Sequence, residues 1–253
     1  MLRPFDLTRA RIARRTLMSA LCLIAAATAG AALPERSAAT GSVPGKTTLT
    51  GLWKPVGHVA ALRTEDGAEP PLAPEARAAY ERNKAAFAAG DTSFYGVHPC
   101  LNLGQPRMNF IPYPIEIIEG RDTIVMAYEW NGFRRIDMTG KAPAVDYPVL
   151  NGASSGRFDG ADLIVTTVGL LGTTFLDAAG MPHSEDLTIT ERFHLTDGGQ
   201  ALEDRMTFTD PKTFSRPWTT IVRWKRLPPG VERQESVCVD RISAGQLALD
   251  PSH

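Results

Sequence analysis

From Pro112 to Leu227 the hydrophobic positions come in short alternating runs, the period-two signature of strands. PIEIIEGRDTIVMAYEWNGFRRIDM holds three such runs. They are parted by Glu119-Gly120-Arg121-Asp122 and by Asn131-Gly132, a strong hairpin signal. GRFDGADLIVTTVG turns at Asp159-Gly160, and LTITERFHLTDGGQALEDRMTFTD turns at Asp197-Gly198-Gly199. WTTIVRWKRL follows, and VERQESVC is predicted as the last strand. About eight to ten strands at such regular spacing predict a single antiparallel β-barrel, whose closure removes aggregation-prone edges. One helix precedes it, over residues 74–89: Pro74 suits a first turn, Gly90 a C′ position, and Tyr80 and Phe87 share a side. It is expected to pack outside the barrel or over one end.

The N-terminus follows a different pattern. Arg9, Arg11, Arg14 and Arg15 precede an apolar run, Leu17 to Ala29, and Ala29-Gly30-Ala31 resembles a cleavage site. Residues 1–31 therefore read as an export signal, of twin-arginine type at Arg14-Arg15, too short in its apolar part to span a bilayer comfortably. Residues 32–50 form a flexible lead, and 51–253 the barrel domain with its helix. The expected location is periplasmic or secreted, with no membrane span after cleavage.

Charge excludes one class of partner. Lys plus Arg is 27 and Asp plus Glu is 28, so no basic field exists to hold nucleic acid. Beyond the signal only Cys100 and Cys238 remain, most simply a disulfide in an exported chain. Closing so long a loop would contribute about 4–5 kcal/mol in the chain-entropy picture. The competing reading is a reactive Cys100 thiol beside His98.

The succession YEWNGFRRI, GRFDGADLIVTT, GLLGTTFLDAAGMPHSEDLTITERFHL, TDPKTFSRPWT and ESVC resembles a large, essentially uncharacterised group of exported bacterial proteins. The similarity spans roughly Gly51 to Arg241. It implies a lipocalin-like β-barrel and the exported compartment. Members usually carry Trp where this chain has Phe158, and the resemblance carries over no catalytic residue.

Candidate chemistry comes from charges on apolar strand faces. Glu191 lies with Leu187, Ile189 and Phe193; Arg134 with Ile136 and Met138; Asp204 with Leu202, Met206 and Phe208; Arg223 with Thr219 and Ile221. Unpaired buried charges are costly, so these groups should meet one another or a ligand. Arg134 or Arg223 is the expected partner of Glu191. Glu129 ends its strand before the Asn131-Gly132 turn, at a barrel mouth, and either strand face there could be the inner one. His183 lies in a loop with Asp177 and Glu191 near in sequence, a candidate oriented acid or base. No phosphate loop, HExxH, CxxC or HxH motif occurs, so no cofactor or metal is expected.

Three functions fit this pattern. The first is a cofactor-free lyase, isomerase or hydratase acting on a small apolar or aromatic molecule in the barrel. There Arg134 and Tyr128 would polarise an oxygen, and Glu129, Glu191 or His183 would move a proton. The second is a lipocalin-like carrier of a hydrophobic small molecule. The third is a barrel with a filled core, in which the charges only hold strand register.

Overall fold

The computed structural model describes residues 48–57, 59–91, 93, 102–130, 132–235 and 237–245. All belong to one unit, Gly45–His253. The predicted signal and most of the lead, with His58, His98 and Cys100, lie outside the described residues.

Nine strands close into a barrel in sequence order. They are β1 (Gly51–Pro55), β2 (Ile115–Glu119), β3 (Thr123–Tyr128), β4 (Phe133–Asp137), β5 (Ala153–Asp159), β6 (Asp162–Val168), β7 (Thr188–Thr196), β8 (Ala201–Thr209) and β9 (Trp218–Arg226). The helix α1 spans Pro74–Ala88 and a short helix α2 spans Cys238–Ser243. No helix among the described residues is long and apolar enough to cross a membrane.

Two details depart from expectation. VERQESVC is not a strand: residues 231–235 are irregular, and Cys238 opens α2. Its Arg and Glu positions give no apolar face to bury. The closing strand is β1, which pairs with both β2 and β9. The barrel is also not wholly antiparallel. β4 and β5 run parallel, held by only two rungs, Ile136↔Ser154 and Asp137↔Ser155. The connection 138–152 carries the chain back to the opposite end before β5 begins, which no hairpin turn could do.

Alternation fixes what faces inward. Ile115 and Ile117, Ile124, Met126 and Tyr128, Arg134 and Ile136, and Leu163 and Val165 are buried. So are Ile189, Glu191 and Phe193, and Leu202 to Phe208 at every second residue. β9 presents Trp218, Thr220, Val222 and Trp224 inward. Stacked pairs fill much of this space: Phe208 on Trp218 at 4.4 Å between centroids, and Phe193 on Trp224 at 6.4 Å.

The two ends differ. One carries the tight turns β2–β3, β5–β6 and β7–β8, and Gly160 takes φ 64° in the second of them, where a side chain would be strained. There the buried Trp53 ring sits under the Arg226 guanidinium at 4.1 Å and donates to the Leu49 carbonyl. The other end is covered. The segment Gln105–Phe110, with a single 3-10 turn at Arg107–Asn109, buries Met108, Asn109 and Phe110. α1 is tied there as well, through Ala73 N–H to the Thr213 carbonyl and Tyr80 to Asp177.

Candidate functional site

Arg134 and Glu191 form the centre of the barrel, each 1% exposed. β4 and β7 are not neighbours; the guanidinium reaches across β5 and β6. Its Nη1 donates to Glu191 Oε1 at 2.8 Å, and its Nη2 to Oε2, a bidentate pair. Nε donates to Ser154 Oγ at 3.0 Å and Nη2 also to Thr167 Oγ1 at 2.7 Å. The remaining Nη1 hydrogen faces only the Met126 sulfur, at 4.0 Å. Burial works against the Arg134 charge, but the Glu191 carboxylate outweighs it and holds the guanidinium protonated.

A polar chain joins this pair to the cap. Gln105 Nε2 donates to the Tyr128 hydroxyl at 2.7 Å; Tyr128 donates to Asn109 Oδ1 at 2.8 Å; Asn109 Nδ2 donates to Glu191 at 3.4 Å. Burial pushes the Tyr128 phenol well above its usual range, with Glu191 adding to the effect and Arg134 opposing it. Tyr128 is therefore a neutral donor here.

Several polar atoms of this interior lack a partner among the described residues, including Gln105 Oε1 and the indole N–H groups of Trp130 and Trp218, and Asp204 is the carboxyl in that set. It is 0% exposed, and among the described residues neither carboxyl oxygen receives a hydrogen bond. Its cross-strand partners are Phe193 and Val222. Burial raises its pKa well above the ordinary carboxylate value; nearby Glu191 adds to this and Arg134 opposes it. The Asp204 carboxyl therefore holds its proton well above the pH at which an exposed aspartate loses it. Trp224, one inward position beyond Val222 on β9, leaves its indole N–H equally unpaired.

Of the sequence-predicted site residues, Arg134, Glu191 and Tyr128 come together. Glu129 does not join them. Ile124, Met126, Tyr128 and Trp130 take the inner face of β3 and its extension, so Glu129 points outward and accepts from the Gln234 N–H. Arg223 is also outside, paired with Glu203 at 2.9 Å on the surface. It is no partner of Glu191, because the two tryptophans of β9 claim the inner face. His183 is buried at 5% exposure in the loop before β7, and among the described residues its hydrogen bonds lead away from the Arg134 cluster: Nδ1 donates to the Ser184 carbonyl, and Nε2 lies 2.8 Å from Thr174 Oγ1. Burial lowers its pKa, opposed by the Ser184 carbonyl and Asp210, so the ring is neutral.

Asp177, expected beside His183, instead fastens the cap. It accepts from Leu62 N–H at 2.9 Å, Tyr80 OH at 2.7 Å and Met181 N–H at 3.0 Å. Asp177→Ala orphans two buried N–H groups and a phenol, at a cost of about 1–3 kcal/mol. Urea unfolding should show that loss, and a change below about 0.5 kcal/mol would mean the cap is held otherwise.

Gln105, Asn109, Ser154 and Thr167 escaped the sequence reading. GQPRMNF has no period, and Ser154 sits in the glycine-flanked run GASSG, which shows no apolar alternation. Only the inward alternation of Thr167 with Val165 and Leu163 could have flagged one of them. In comparisons with known proteins, the chain matches no family profile and no curated protein.

Proposed function

We propose that the barrel encloses a small molecule beside Asp204 and moves a proton on it without a cofactor, in an isomerisation, elimination or hydration. Asp204 is the acid: its neutral carboxyl gives a proton and takes one back. The Arg134–Glu191 pair, braced by Ser154 and Thr167, positions the charge that keeps Asp204 protonated, and Tyr128 remains a neutral hydrogen-bond donor near it. The observation that carries this reading is a fully buried carboxyl with neither oxygen bonded. A core built only for packing pairs such groups or omits them. A buried carboxyl whose pKa is pushed upward by burial and by a neighbouring acid is the kind of group acid–base chemistry uses. The apolar and aromatic remainder of the interior suits an apolar or aromatic substrate. Export to the periplasm and a Cys100–Cys238 bond belong to the same proposal, and the burial of Cys238 fits it.

Native mass spectrometry of the purified chain should reveal the bound molecule. On that molecule Asp204→Asn should lower kcat by about 10²–10⁴-fold, the usual worth of a general acid. Turnover within twofold of wild type would overturn the acid assignment. A molecule bound but not converted would move the reading to the carrier.

A further inference from the structure

We propose that the cleft at the tight-turn end of the barrel is a second site, one that binds a small organic anion with an aromatic or branched apolar body and a single carboxylate. The cleft has a volume of about 300 Å³, at the small end of the range of about 300–1,000 Å³ for small-molecule sites. Ile124 and Met138 form an apolar floor, and Phe158, 43% exposed, stands at the side. Gly156 makes the floor possible: a Cβ there would lie 2.7 Å from Met138 Sδ and 2.9 Å from Ile136 Cγ2.

The polar groups are on the rim. Arg121 and Arg157 are both exposed, and among the described residues neither forms an ion pair or a side-chain hydrogen bond. The one acid in the lining, Glu119, is engaged elsewhere. Its carboxylate accepts from the Thr48 hydroxyl and from Leu49 N–H at 3.2 Å, which ties down the start of β1. Two uncommitted guanidiniums above an apolar pit match a ligand with an apolar end and a planar anionic end, since guanidinium and carboxylate pair through two parallel hydrogen bonds. Neither the acid role of Asp204 nor an occupied interior is needed for this site.

The test is an amide NMR titration of the whole chain with 2-naphthoate. Gly120, Gly140 and Gly156 line the cleft and serve as backbone reporters. Saturable shifts are expected at all three, with 2-naphthoate binding at least tenfold tighter than neutral 2-naphthamide. In Arg121→Gln/Arg157→Gln that preference should disappear; both side chains are exposed, so the fold is retained. Three results would each overturn the proposal: no saturable shift at the glycines, equal affinity for acid and amide, or a preference that survives the double substitution.

Discussion

Glu191→Gln is expected to destabilise the protein by about 3–5 kcal/mol, because it leaves the Arg134 charge buried and uncompensated. Against a total stability of about 5–15 kcal/mol, this brings the variant near the edge of folding. The guanidinium is 1% exposed, and among the described residues Glu191 is the only carboxylate bonded to it. Removing both charges should behave differently. Arg134→Met/Glu191→Leu keeps apolar volume and deletes both desolvation costs, and should come within about 1–2 kcal/mol of wild type or exceed it. Urea titration followed by tryptophan fluorescence measures both variants. A single substitution costing under about 1 kcal/mol would show that water reaches the pair and that the interior is not dry.

The second large effect concerns pH. In the unfolded chain Asp204 ionises at about pH 3.9; in the folded protein burial and Glu191 raise that value well above the ordinary range. Between the two, the folded state binds the extra proton, so stability falls as pH rises. The contribution is fully present below about pH 4 and is lost through the folded-state pKa, at up to about 1.4 kcal/mol per pH unit. Asp204→Asn replaces the neutral acid with a neutral amide and removes this slope. The variant should match wild type near pH 4 and be the more stable of the two at pH 8. Parallel curves at both pH values would mean that Asp204 is ionised in the folded protein and has a partner.

Much of the barrel was legible because alternation is local. Eight of its strands were read from the sequence, with their turns, and so was the helix. What failed depended on distant neighbours. GLWKP is five residues long and contains a proline, too short for a periodic signal; only its two ladders make it a strand. β9 carries Ile221 beside Arg223 on its outer face, and the larger Trp218 and Trp224 hold the inner one. β3 left the inner face undecided at Glu129. The Arg134–Glu191 pair was legible as two intrusions of charge on apolar faces. The Gln105–Tyr128–Asn109 chain was not, because an irregular cap announces itself only through what it covers.

The parallel seam has a consequence of parity. Strands that alternate direction around a ring must be even in number, and this ring has nine. One neighbouring pair must therefore run the same way, and here that pair has the fewest rungs in the wall. Arg134 starts on one side of that junction and ends on β7, touching Ser154 and Thr167 on the strands between. The central ion pair thus works as a crossbar over the weakest joint. The same four side chains serve the interior and the seam together, so a substitution at Arg134 or Glu191 bears on both.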